Sequence, residues 1–494
     1  MASSKNAPLK TSEVTIEMPM GQEGYMLDPC KELMNIFGYK AQAGTSTSSA
    51  GAKTRPKIQE VPQIMRENEK NKINYFPKLV SIGPYHYGNR KLKEGQALKT
   101  RLVQEFSSNV QSKKKSLEAY FHSMEFGKVV SEAKNCYAMI PKAVYTDEAF
   151  KCLMFLDGCF VVYFIHCVVN KCKDVQMKNH HKAIITMDLF LLENQLPYTV
   201  LQALVNEFMP PEKNKDIAEF IKKQTGARGI KGRETNLYGL LPKYFQRVID
   251  YWRGDKKDNT VKHHHLPLHL LDYLRTEFLI TASSPPSDQP EKNFGGEMEW
   301  RSFRPVEELK AAGIHCKTSG SSSVKEIKFK PYKLMYGSLS LPAIVIDDSF
   351  KTKWLNMLAY EACTDFINDG GITSFICFMD SLIDRPEDVI HVKELREKGI
   401  LQKSLGSDEH VGHLFNELAT DLTPNPYEYR QVKRDIEKHF NRTWAVWFAE
   451  GLHTHLMSID KLKPWTVPAF VATLLILFLT VVQTYFAAFP KGKK

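Results

Sequence analysis

The chain has 494 residues, 43% hydrophobic and 25% charged, which is ordinary for a globular protein and excludes a wholly disordered or fibrous one. Its net charge of +11 comes from scattered lysines and arginines, with no basic stripe interleaved with aromatics and no known module, so no nucleic-acid partner is expected. Nine cysteines, with no CxxC spacing and several in apolar runs, read as buried free thiols in a reducing compartment rather than as zinc or redox sites.

Residues 1–57 are polar and end in AQAGTSTSSAGAKTRPK, too poor in apolar side chains to fold. A disordered N-terminal arm is expected there, with one short helix around CKELMNIFGY. GTSTSSAGAKT within it lacks the spacing and the preceding strand of a phosphate loop. Residues 58–282 form the N-terminal helical part of the globular region. LKTRLVQEFSSNV, EAFKCLMFLDGCFVVYFIHCVVN, AIITMDLFLLE, PYTVLQALVNEFM and LPLHLLDYLRTEFLI all carry apolar residues at three- and four-residue spacing. Segment 153–169 resembles a membrane span, but Asp157, His166 and its short length make it a buried core helix.

Residues 283–303 are a Pro/Gly/Ser-rich loop or boundary. From 304 to 460 the C-terminal part of the globular region begins with ELKAAGIHCK, read as a helix. Short strands follow in VKEIKFK, KLMYGSLSLP and AIVIDDS. Helices return with WLNMLAYEACTDFIN, ITSFICFMDSLID, DVIHVKELREKGI, HVGHLFNELATDL and EYRQVKRDIEKHFNRTWAVWFAEGLH. The fold class is mainly α with a small β element (α+β), a large helical domain followed by a C-terminal transmembrane helix.

That last helix is residues 465–489, WTVPAFVATLLILFLTVVQTYFAAF, a run without charge. At about 1.5 Å per residue it would span roughly 37 Å, against a hydrocarbon core of about 30 Å. Trp465 and Tyr485 suit the headgroup level, and lysines bracket the run, including the basic tail 490–494. The N-terminus lacks the apolar core of a secretory signal. The expectation is a single-pass protein held in the plasma membrane or an endomembrane by a C-terminal anchor, with the bulk of the chain cytosolic. The bilayer is then its partner through 465–489, assisted by a basic surface near an anionic leaflet.

Little in the motifs points to catalysis. His263, His264, His265 and His269 in KHHHLPLH include a four-residue spacing, but Pro267 intervenes, and a solvated cap or buried histidines are the better reading. Asp380 and Asp384 would share a helical face, with Glu387 and Asp388 after them, and read as caps and solvated charge. No GxSxG elbow or HExxH occurs, so no catalytic, cofactor or metal residue is assigned and no cofactor is expected. Asn441-Arg442-Thr443 is a glycosylation sequon usable only if that part is lumenal.

Two segments offer candidate interaction residues. In SIGPYHYG (81–88), Gly83-Pro84 fixes a turn that presents Tyr85, His86 and Tyr87, which hold the loop to the core or line a pocket. In LENQLP (192–197), Glu193, Asn194 and Gln195 interrupt an apolar stretch before a proline, where they would satisfy freed backbone groups or read a partner.

These segments also carry a family resemblance. VPQIMRENEKNKINYFPKLVSIGPYHYG, LDGCF, FLLENQLPYTVL, ELKAAGI, LPAIVIDD, LNMLAYE, FMDSLID, LGSDEHVGHLFNEL and the closing apolar helix, in that order, resemble the plant Domain of Unknown Function 247 family over about residues 58–489. At one position the chain departs from it: the family usually places an acidic residue shortly before the lysine of its first helix, and here Gln96 stands before Lys99. The resemblance implies a plant-specific single-pass membrane protein without an accepted enzymatic activity. Some members in grasses are linked to self-incompatibility recognition.

The expected function is therefore a membrane-anchored, non-enzymatic recognition, signalling or scaffold protein that binds another protein. The alternatives are an enzyme of unassigned class with a pocket near Tyr85, His86 and Glu193, or a lipid-binding protein of the membrane surface.

Overall fold

The computed structural model describes residue 33 and residues 57–111, 115–140, 146–172, 177–210, 215–226, 267–280, 303–332, 336–364, 370–383, 389–403, 407–441 and 466–488. The arm at 1–57 (apart from residues 33 and 57), the boundary at 283–302, the tail 490–494, His263 to His265, and Asp384, Glu387 and Asp388 lie outside them. The chain is mainly helical with small sheets, as its periodicity predicts. It divides into two compact units, residues 1–60 with 75–217, and residues 61–74 with 218–494.

In the first unit the helices are α1 (Lys93–Gln111), α2 (Leu117–Phe121), α3 (Met124–Lys134), α4 (Asp147–Asn170), α5 (Asn179–Asp188) and α6 (Tyr198–Phe208). Their starts are written in the sequence: the side chains of Ser116, Ser123 and Thr146 accept the N–H groups of Ala119, Phe126 and Ala149. Asp147 and Glu148 add negative charge at the N-terminus of α4. α4 is hydrophobic almost all round because it is the centre of the unit, packed by α1, α3 and α6. It is the one helix, among the described residues, long and apolar enough to cross a membrane, yet 83% of its apolar window is buried inside the protein. Edge-to-face rings close the core around it, Phe121 and Phe126 on Phe155 and Phe106 on Phe208.

α7 (Asp216–Gln224) follows. The second unit contains α8 (Leu270–Leu279), α9 (Val306–Ala311), β1 (Ile314–Thr318), β2 (Lys328–Pro331), β3 (Gly337–Leu341) and β4 (Ile344–Ile346). It continues with α10 (Phe350–Glu361), α11 (Gly371–Ile383), α12 (Val389–Glu397), β5 (Leu401–Lys403), α13 (Asp408–Ala419) and α14 (Arg430–Phe440). Trp354 of α10 is the centre of its core, against Phe278, Phe350 and Phe375. The segment ELKAAGIHCK corrects the sequence reading. Its helix ends at Ala311, because Gly313 takes φ +73°, and Ile314 onward is strand β1. β3 is central, parallel to β1 and antiparallel to β2, while β4 pairs with β5, a strand the sequence did not reveal.

α15 (Thr466–Ala488) covers the run predicted to be a membrane helix. Among the described residues it contributes a short apolar stretch, Ala472–Thr484, and the expected C-terminal transmembrane helix is not shown. Leu474 to Leu479 are 50–66% exposed.

Candidate functional site

The two segments singled out by sequence meet in the first unit. The backbone from Lys78 to Gly83 is neither helix nor strand, so its polar groups need side-chain partners. Asp188, at the end of α5 and 1% exposed, accepts the N–H groups of Lys78, Leu79 and Val80 at 2.9, 2.8 and 2.9 Å. Asn194 accepts the N–H of Ile82 at 2.6 Å and donates to the carbonyls of Val80 and Asp188. Gln195 donates to the carbonyls of Leu189 and Leu191 at 2.8 and 2.7 Å, tying off the turn between α5 and α6.

The loop is locked from its other side by a buried ion pair. Lys99 Nζ on α1 and Asp157 Oδ1 on α4 lie 2.5 Å apart, both fully buried. Lys99 also donates to the carbonyl of Ser81, and Asp157 Oδ2 accepts the N–H of Gly83. Lys99 thus does have an ionic partner. It is not on its own helix, as the departure at Gln96 suggests by omission, but 58 residues further along the chain. Burial pushes the carboxyls of Asp157 and Asp188 up from their ordinary value, and the Lys99 ammonium and the backbone N–H groups oppose that. Every oxygen of the two groups accepts from a donor, an arrangement that fits the ionised carboxylate. Gly83 takes φ +72°, and a Cβ there would stand 2.6 Å from the carbonyl oxygen of Gln195, which is why the turn carries glycine.

Beyond the turn, Tyr85 donates to the carbonyl of Ile58 at 3.0 Å and stands edge-on to Tyr137, whose hydroxyl donates to the carbonyl of Gln195. His86 Nε2 lies 3.2 Å from Glu193 Oε2, with side chains 8% and 7% exposed. The distance is that of an ion pair, but the ring nitrogen is not aligned for a hydrogen bond. Phe76 packs edge-on against His86. All four candidates, Tyr85, His86, Glu193 and Asn194, are therefore brought together. What the sequence did not reveal is that Asp188, Asp157 and Lys99 belong with them; the one visible signal was a carboxylate inside an apolar helix.

The remaining candidates are dispersed. Asp380 stands on α11 of the second unit, and Asn441 ends α14 and is exposed. His269 caps α8: its Nδ1 accepts the N–H of Asp272, so the neutral ring carries its proton on Nε2, edge-on to Tyr360. Complete burial pushes its pKa down to about 3. Beside it Arg275 donates to Glu361, whose carboxylate also accepts the N–H groups of Ile372 and Thr373 at the start of α11. Among the described residues no group of three or more His, Cys, Asp or Glu side chains is placed to hold a metal ion. The described cysteines are free thiols, five of the eight buried.

The chain belongs to the Domain of Unknown Function 247 family, described as plant protein of unknown function, whose sequence profile matches residues 58–479. It is similar to the UPF0481 protein At3g47200 of Arabidopsis thaliana, 27% identical across 83% of this chain and 82% of that one. It is also similar to the putative UPF0481 protein At3g02645 of the same plant, 20% identical across 84% and 87% of the two chains. No solved structure matches.

Proposed function

We propose that the protein is a membrane-anchored, non-enzymatic recognition or scaffold protein whose globular part binds another protein. The observation that carries this is α15, a helix without a charged residue whose leucines, isoleucine and phenylalanine between Leu474 and Leu479 are at least half exposed. Apolar surface costs roughly 25 cal/mol per Å² in water, and a bilayer removes that cost. The bulk of the chain is assigned to the cytosolic side of the plasma membrane or an endomembrane. The non-enzymatic reading is supported by how the polar residues at the candidate site are used. Asp188, Asn194, Gln195 and Asp157 bond to backbone, and His86 and Glu193 are largely covered.

Alkaline carbonate extraction of plant membranes tests the anchor, and proximity labelling from the N-terminus tests side and partner together. The reading predicts that the full chain stays in the pellet and labels cytosolic proteins. Release by carbonate, or a glycan on Asn441, would overturn it. The enzyme reading rests on one observation, a nearly buried imidazole beside a carboxylate, a pairing suited to proton transfer. It requires that His86→Gln abolish a turnover while leaving the fold and partner labelling intact.

A further inference from the structure

The sheet β1-β3-β2 has two unlike faces. The register aligns His315 with Ser338 and Lys330, and Lys317 with Ser340 and Lys328. Side chains alternate along a strand, so these six share one face, and Tyr332 and Tyr336 continue it at the end where β2 and β3 are connected. The opposite face carries Ile314, Cys316, Leu339 and Leu341, which are buried, and Phe329 there packs against His439 of α14. The polar face holds three lysines and a histidine, all four exposed, and no acidic side chain. No ion pair joins any of them to an acid among the described residues.

Two further details point to a ligand. Ser338, on the central strand, is only 6% exposed and its hydroxyl has no hydrogen-bond partner. Long side chains cross the same face. Lys317 reaches across β3 from β1 to Tyr332, the residue after β2, its ammonium 3.4 Å from the phenol oxygen, and Tyr336 stacks on His315. A buried hydroxyl without a partner is costly unless something bonds to it. An anion held by Lys317 and its neighbours on this face would lie over the central strand that carries that hydroxyl.

The size of the face selects the ligand. Two strand spacings span about 10 Å, and two residues along a strand about 7 Å. That suits one compact ring bearing several phosphates and is too small for a nucleic-acid duplex. A linear polyphosphate is normally cradled by free backbone N–H groups, and those of this central strand belong to the ladder. We propose that the β1-β3-β2 face binds a multiply phosphorylated inositol, with Lys317, Lys328, Lys330 and His315 around the phosphates and Ser338 and Ser340 donating from the centre. The inference rests on the strands and holds whether or not α15 enters a bilayer.

The test uses the full chain in detergent micelles, so that failure of the anchor does not affect it. Inositol trisphosphate is titrated by calorimetry, alongside dioctanoyl phosphatidylinositol bisphosphate, dioctanoyl phosphatidylserine and a nucleoside triphosphate. Binding should weaken with salt and fall about tenfold for each of Lys328→Ser and Lys330→Ser. It should fall a few-fold for Ser338→Ala, while Lys91→Ser and Lys393→Ser, equally exposed elsewhere, leave it unchanged. Tighter binding of the bisphosphate lipid than of the trisphosphate assigns a membrane source, and equal binding assigns the free headgroup. No binding, equal losses in the control variants, or equal affinity for phosphatidylserine or the nucleotide would overturn the proposal.

Discussion

Two regions use the same residue types in opposite ways. Around the loop Lys78–Gly83, an ammonium and two carboxylates are buried, and each bonds to backbone or to its counter-charge. On the outer face of β1-β3-β2, three lysines stand in solvent with no acid paired to them among the described residues. The first arrangement consumes its charges in making one loop conformation. The second leaves them available. In these two regions charge is thus divided between holding the fold and standing free of it, and burial tells which is which.

The largest effect should come from separating the buried pair. Asp157→Ala strands the Lys99 ammonium in the core and should cost about 3–5 kcal/mol in a denaturant titration. The double variant Lys99→Met/Asp157→Leu should recover only part of this, because Ser81 and Gly83 still lose their partners. A cost below about 1 kcal/mol for Asp157→Ala would dissolve the comparison. Next, Asp188→Ala removes the acceptor of three N–H groups and should cost about 2–4 kcal/mol, with hydrogen exchange at Lys78 to Val80 accelerating more than elsewhere.

A smaller effect sharpens the rule for titratable groups. Below the ordinary histidine value of about 6.5, the unfolded chain takes up a proton at His269. The folded chain refuses it until about pH 3. His269 therefore removes stability progressively as pH falls through that window. His269→Asn, which keeps an oxygen to cap the N–H of Asp272, should flatten the acid side of the stability profile by about 1.4 kcal/mol per pH unit. An unchanged slope would mean that the ring is hydrated. The smallest effect belongs to the sheet. Lys328→Ser with Lys330→Ser should shift unfolding by less than about 0.5 kcal/mol, since neither lysine supports the fold.

Much of the fold was legible because it depends on local periodicity. α1, α4, α6 and α8 lie where apolar residues recur at helical spacing, and Asp157 inside a long apolar segment marked a core helix rather than a span. Glu193, Asn194 and Gln195 were recognisable as polar residues that had to bond something, and the latter two do tie down backbone. Two things were hidden. The partner of Lys99 is 58 residues away, and pairing between helices leaves no mark in sequence spacing. The basic face was also invisible as a stripe. Its cations alternate with residues of the opposite face along two strands, and Tyr332 and Tyr336 complete it only after the hairpin closes.

The buried carboxylate on α4 has a consequence before folding begins. As the chain is synthesised, Asp147–Asn170 is hydrophobic enough to be taken for a membrane span, and it emerges long before the uncharged run at 465–489. Near the middle of a helix an aspartate raises the free energy of insertion by about 3 kcal/mol. Asp157 therefore bars α4 from the wrong solvent, and only afterwards, inside the fold, does it find Lys99.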